Sequence, residues 1–153
     1  MLKKIFITVM VFMISVAVQA SDFTVQKLPN GQTLIVQEVR NNPLVTIDTW
    51  VRTGSINETD SNSGVSHFLE HLFFKGTKKH PAGEFDRILE SKGAVINAAT
   101  SKDFTHYYIT IPSEYFDTAL ELHADMLTDP QLPRKELEME RKVVLEELSK
   151  DGN

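Results

Sequence analysis

Runs rich in β-branched and aromatic residues occur in two groups along the chain, and segments with helical periodicity follow each group. The first group covers residues 23–28, 33–39 and 44–51, and the second covers residues 94–98 and 104–111. Such runs predict strands. Grouped strands alternating with grouped helices predict an α+β fold, with a mostly antiparallel sheet covered by helices.

Turn and helix signals agree with this division. Pro29-Asn30-Gly31 separates the first two runs and predicts a hairpin, because Asn and Gly tolerate positive φ. Apolar residues at helical spacing predict four helices, at about residues 65–74, 81–91, 114–127 and 134–149.

Composition excludes several classes of function. Apolar residues make up 41% and charged residues 24%, which is typical of a globular protein with a core. The formal net charge of -5 gives no reason to expect a nucleic-acid partner, which favours a basic surface. The chain has no cysteine, so disulfides, thiolate metal ligands and a cysteine nucleophile are all excluded.

Residues 1–20 have the three parts of a secretory signal peptide. Lys3 and Lys4 form a basic start, an apolar run follows over residues 5–18, and the segment ends in the cleavage-type sequence Val18-Gln19-Ala20. The apolar run is too short to favour a stable membrane anchor, although an uncleaved signal anchor is the alternative. We therefore expect an exported protein whose mature part is residues 21–153. A periplasmic location fits best, and secretion is the alternative.

The sequence His67-Phe68-Leu69-Glu70-His71 lies in a predicted helix. Residues four apart on a helix share one face, so His67 and His71 can offer two imidazole nitrogens to one metal ion. Glu70 lies one turn from His67 and can place its carboxylate beside that metal. This is the metallopeptidase pattern with the glutamate position inverted. Two histidines that share a helix face by chance are the alternative.

A catalytic zinc normally has three protein ligands and one open position, so a third ligand is expected elsewhere. The last predicted helix provides two acids. Glu140 and Glu147 share one face with Leu137, Val143 and Val144. A carboxylate on an apolar face needs a cation or a metal. From the residues alone, the third ligand can be either glutamate, and two ordinary solvated acids remain the alternative.

Three segments resemble one known family. GVSHFLEHLFFKGT, NAATSKDFTHYYITIP and ERKVVLEEL, in this order, resemble the pitrilysin/insulinase family of inverted-zincin metallopeptidases. The resemblance is closer to the branch of bacterial processing proteases and the mitochondrial processing peptidase β-subunit. It implies that residues 21–153 form an N-terminal zinc-binding peptidase domain, one incomplete part of a clamshell-shaped molecule.

The resemblance also implies the roles of the polar residues. One Zn²⁺ per chain would be held by His67, His71 and Glu147, while Glu70 would activate the water. Glu140 would support the site from outside the ligand set. The activity implied is zinc-dependent hydrolysis of peptide bonds in peptides or unfolded segments.

Substrate and partners follow from the same resemblance. Asn97 and Ala98 match the strand that holds the substrate backbone. The expected partners are a peptide substrate and either a C-terminal half or a second homologous subunit. Two other functions stay open: a non-catalytic substrate-binding or structural subunit of the same fold, and a periplasmic metal-binding module.

The other three histidines are expected to have no catalytic role. His80 lies in a lysine-rich loop and is predicted to be solvated. His106 alternates with apolar neighbours and is predicted on the sheet surface. His123 lies among core-type helix positions and is predicted to be a hydrogen-bonded core residue.

Overall fold

The described part of the first unit of the chain forms a β-hairpin. The computed structural model describes residues 23–151, and the chain divides into two compact units after Asn42. In the first unit, strands β1 (Phe23–Lys27) and β2 (Thr33–Gln37) pair in antiparallel fashion. The turn between them contains Gly31 at φ 89°, the positive value that its sequence predicts. The predicted signal peptide lies outside the described residues.

The second unit contains a three-stranded sheet. Its strands are β3 (Leu44–Val51), β4 (Val95–Thr100) and β5 (Thr105–Pro112), and their order is β3-β5-β4. Both pairings are antiparallel. β5 is therefore the central strand, and β4 is an edge strand among the described residues.

The described residues of this unit form four α-helices. They are α1 (Val65–Phe73), α2 (Glu84–Glu90), α3 (Phe116–Thr128) and α4 (Arg134–Asp151). Short 3₁₀ helices precede α1 and α3 at Ser55–Asn57 and Ser113–Tyr115. The α+β class predicted from the sequence is confirmed.

The second helix begins three residues later than predicted. Pro81 was expected near its start, but the chain first makes a turn in which the Glu84 N–H donates to the Pro81 carbonyl at 3.0 Å. Gly83 has φ 80°, a left-handed value that no helical residue adopts, so α2 begins only at Glu84.

The core lies between one face of the sheet and helices α2 and α3. Residues of β5 alternate between buried and half-buried along the strand, as expected for a strand with one face against helices. The buried cluster consists of Phe85, Leu89, Tyr107, Ile109, Ile111, Ala119, Leu122 and Met126. No helix in the described part of the chain is long and apolar enough to cross a membrane.

Candidate metal centre

Helix α1 brings two imidazole rings together. His67 and His71 are one turn apart, and their Nε2 atoms lie 3.3 Å from each other. The two rings meet edge to face, with centroids 4.8 Å apart. Both residues are half-buried. The sequence prediction that these histidines share one face is confirmed.

Helix α4 adds a carboxylate to this pair. Glu147 Oε2 lies 3.7 Å from His67 Nε2 and 3.5 Å from His71 Nε2. Glu146, the next residue towards the N-terminus, is exposed. Within residues 23–151, one group of three histidine or acidic side chains is close enough to hold a metal ion. It consists of His67, His71 and Glu147.

Glu140 is the buried neighbour of this group. It is 7% exposed, and its Oε2 lies 3.2 Å from His71 Nδ1, on the side of the ring that faces away from Glu147. Its other oxygen accepts a hydrogen bond from Lys75 Nζ at 2.8 Å. Burial tends to raise the pKa of Glu140, but the hydrogen bonds from Lys75 and His71 outweigh burial and hold that pKa below its ordinary value. Glu140 therefore stays ionised as the partner of two donors.

The three converging atoms fit a zinc ion. Four ligands at about 2.0–2.1 Å in a tetrahedron lie about 3.3–3.5 Å from one another, and the measured separations are 3.3, 3.5 and 3.7 Å. An ionised Glu140 accepts the Nδ1 proton of His71, which leaves the Nε2 lone pair directed at the group. The chemistry and the spacing of the donors both suit the metal that the sequence predicts.

Glu70 lies in the same cleft as His71. The cleft is lined by Glu70, His71, Phe74, Lys75, Asn97, Ala98 and Glu140. Burial, with a smaller contribution from the negative charge of Glu70, raises the pKa of Tyr107 to about 12. Glu70 Oε2 accepts a short hydrogen bond from the Thr100 hydroxyl at the end of β4.

Strand β4 forms one wall of the cleft. Asn97 and Ala98 line it together with Glu70 and His71. In the sheet, they pair with Tyr108 and Tyr107 of β5. The Asn97 side chain accepts a hydrogen bond from the Ala98 N–H at 2.9 Å. The structure therefore places both predicted substrate-binding residues beside Glu70 and His71.

Glu58 caps the N-terminus of α1, a role that the sequence did not indicate. The residue at the N-cap is Gly64, which has no side chain to bind the free N–H groups. Glu58 supplies both acceptors from the preceding loop: the Gly64 N–H donates at 2.6 Å and the Ser66 N–H donates at 2.8 Å. A carboxylate at this position also interacts favourably with the helix dipole.

We expect the substitution Glu58→Ala to lower the free energy of unfolding by about 1 kcal/mol, the usual effect of losing a helix cap. Hydrogen bonds from the Ser66 and Gly64 N–H groups hold the pKa of Glu58 below its ordinary value of 4.5. The stabilisation is therefore present above the unfolded-state pKa and disappears as the pH falls through the folded-state pKa. Urea unfolding at pH 7 and at pH 3 measures both effects.

Asp60→Ala is the matched control, because it removes an exposed acid from the same loop. An equal loss of stability for Asp60→Ala and Glu58→Ala would contradict the capping role.

The other three histidines lie away from the centre. His80 is not simply solvated as predicted: its Nδ1 lies 3.5 Å from Glu84 and its Nε2 lies 4.0 Å from Asp125. His106 lies on the sheet surface, as predicted, 3.2 Å from Asp48.

His123 is buried, as predicted, but only one of its ring nitrogens has a partner. Its Nε2 lies 2.8 Å from Thr49 Oγ1, while its Nδ1 has no hydrogen-bond partner among the described residues. Burial lowers the pKa of His123, so the ring is neutral near pH 7.

The fold and the site together define a class of protein: an α+β chain in which two histidines of one helix meet a glutamate of a distant helix. The insulinase family, peptidase family M16, matches residues 33–151. The chain belongs to this family of peptidases. The family resemblance seen in the sequence is confirmed.

Individual relatives agree with this membership. The chain is 41% identical over 121 residues to the zinc protease PqqE of Helicobacter pylori, covering 78% of this chain and 27% of the relative. It is 37% identical over 127 residues to subunit 1 of the mitochondrial cytochrome b-c1 complex of Bos taurus, covering 83% and 26%.

A solved structure shows the same fold. The crystal structure of a protease from Helicobacter pylori matches with a TM-score of 0.79 and 38% identity, over 84% of this chain and 31% of that chain. The present chain thus spans less than a third of the length of these relatives.

Proposed function

We propose that this chain carries the metal-binding and catalytic groups of a zinc-dependent endopeptidase that acts on peptides or unfolded segments. One observation carries the proposal: His67, His71 and Glu147 converge at the spacing of zinc ligands, beside a cleft that contains Glu70. The similarity to proteins named as zinc proteases supports it.

His67, His71 and Glu147 hold the metal in this proposal. When bound, zinc supplies activation of a water molecule and polarisation of the scissile carbonyl. Glu140 fixes the tautomer and the orientation of His71 by accepting its Nδ1 proton. Lys75 keeps Glu140 ionised and in place.

Glu70 is the proposed general base. It lies one residue before His71, it lines the cleft, and one of its oxygens is not hydrogen-bonded to any described residue. That oxygen is free to accept a proton from the attacking water. Glu70 then passes the proton to the leaving amine.

Strand β4 is the proposed substrate platform. An extended peptide can add to the edge of this strand that is unpaired among the described residues. The contact would be made through backbone hydrogen bonds, which tolerate many different side chains. Asn97 and Ala98 then hold the peptide backbone next to Glu70. This mode of binding favours an unfolded segment of substrate, because the backbone groups of an extended peptide are not paired within the substrate.

Metal removal tests the proposal directly. We expect the full-length gene product that contains this sequence to cleave unfolded casein, to lose this activity with a chelator, and to regain it with about one equivalent of Zn²⁺ per chain. The hydrolysis rate and the zinc content by atomic absorption measure the effect. Activity that survives complete removal of the metal would contradict the proposal.

A non-catalytic subunit of the same fold is the second candidate, because one similar protein is named as a subunit of the cytochrome b-c1 complex. In that case the protein would assemble with a partner and hydrolyse nothing. Stoichiometric zinc without hydrolysis of any unfolded substrate would favour this candidate or a metal-binding module.

Further polypeptide completes the enzyme in this proposal. The relatives are more than three times as long as the matched region, so a C-terminal half or a second homologous subunit is the proposed partner.

The signal-type sequence of residues 1–20 leads us to propose export to the periplasm. N-terminal sequencing of the periplasmic protein, with Ser21 as the expected first residue, tests that location.

A further inference from the structure

The hydroxyl of Thr100 is the hydrogen-bond partner of the Glu70 carboxylate. Thr100 is the last residue of β4, and its Oγ1 donates to Glu70 Oε2. In such a pair the hydroxyl donates and the carboxylate oxygen accepts. Among residues 23–151 this is the one hydrogen bond that the Glu70 carboxylate makes, and it engages one of its two oxygens.

Thr100 is itself held in place by its neighbours. It pairs with Thr105 of β5. Thr105 is 2% exposed, and its hydroxyl donates to the Thr53 carbonyl at 3.0 Å and lies 3.4 Å from Thr100 Oγ1. The turn that follows β4 is tied down as well, since the Ser55 N–H donates to the Ser101 carbonyl at 3.2 Å. The donor to Glu70 therefore lies in a segment that hydrogen bonds and strand pairing hold in place.

We infer that Thr100 is the positioning residue for Glu70: it binds one carboxylate oxygen and thereby leaves the other directed into the cleft. The inference rests on the proposed function and adds a residue to it. Thr100 acts through Glu70 and takes no part in holding the metal. A base displaced by about 1 Å can lose about 100-fold in rate, so fixing one oxygen has a measurable effect.

Two substitutions separate the hydroxyl from the rest of the side chain. Thr100→Val keeps the shape of the side chain and removes the donor, whereas Thr100→Ser keeps the donor. In the full-length, zinc-loaded gene product we expect Thr100→Val to lower kcat by about 10- to 100-fold with unchanged KM and zinc content. Thr100→Ser is expected to stay within about threefold of the parent, because it restores the hydrogen bond.

Thr110→Val is the matched control. Thr110 belongs to the same sheet, and its hydroxyl lies 2.8 Å from the hydroxyl of Thr46. Removing that contact should leave kcat unchanged. A similar loss of kcat for Thr110→Val and Thr100→Val would assign the effect to general weakening of the sheet and overturn the inference.

Crystal structures of the zinc-loaded variants give a second measurement that does not depend on activity. We expect the Glu70 carboxylate to leave its position in Thr100→Val and to keep it in Thr100→Ser. An unmoved carboxylate in Thr100→Val overturns the inference, and so does a full kcat in that variant. If the parent protein hydrolyses nothing, the proposed function fails, while the two structures still decide whether Thr100 positions Glu70.

Discussion

Glu70→Gln should lower peptide hydrolysis by about 1,000-fold or more while the protein keeps one zinc per chain. Glutamine matches the shape of glutamate but cannot accept the proton of the attacking water, and loss of a general base typically costs 10²–10⁴-fold. Zinc should stay because the Glu70 carboxylate is not part of the group formed by His67, His71 and Glu147. Steady-state hydrolysis of an unfolded peptide, with zinc measured on the same samples, tests both statements.

Glu114→Gln is the matched control, since Glu114 is exposed and belongs to the 3₁₀ helix before α3. It should leave the rate of hydrolysis unchanged. Normal hydrolysis by Glu70→Gln would remove Glu70 from the mechanism. Loss of zinc from that variant would instead show that Glu70 helps to hold the metal.

Glu147→Ala should lose both zinc and activity, whereas Glu146→Ala should keep both. Glu147 supplies the carboxylate oxygen 3.5–3.7 Å from the two imidazole nitrogens, while Glu146 is exposed. Changes outside a ligand set already weaken metal binding by about 10- to 100-fold. Removal of a ligand should therefore weaken zinc binding by at least about 100-fold.

Competition titration with a chromogenic zinc chelator measures this affinity for the parent and both variants. Both substitutions remove one negative charge, and they do so at adjacent residues of α4. The long-range electrostatic effect on zinc affinity is therefore about the same in the two variants, and it cancels when their affinities are compared. Equal zinc affinities for Glu147→Ala and Glu146→Ala would contradict the assignment of Glu147.

Much of the site could be predicted because it follows from helix geometry. His67 and His71 are four residues apart, and that spacing alone places both rings on one face. The residues left Glu140 and Glu147 open as the third ligand, since both lie on the same face of α4. The structure separates them: Glu147 meets the Nε2 atoms of both rings, and Glu140 meets Nδ1 of His71.

Contacts between distant elements could not be predicted in this way. Thr100 reaches Glu70 because β4 passes beside α1, and Glu58 reaches the start of α1 because the preceding loop folds back on it. No local pattern marks either residue. Lys75 was more accessible to prediction, because it follows His71 by four residues, just past the C-terminal end of α1.

The start of α2 at Glu84 has a local cause that the position of Pro81 did not indicate. Pro81 is favourable in the first turn of a helix, so its position suggested a helix from that residue. Gly83 adopts a left-handed conformation at φ 80°, which postpones the helix to Glu84. Proline signals the approach of a helix here, and glycine determines where the helix begins.

The edge of β4, which pairs with no strand among residues 23–151, has a consequence for handling the protein. Its six residues, Val95–Thr100, carry no charge and no proline, and such an edge can pair with the same edge of another molecule. The edge proposed to bind a peptide is thus also expected to favour self-association at high concentration. A lysine at an outward-facing edge position such as Val95, which is 59% exposed, should keep the isolated molecules apart in solution.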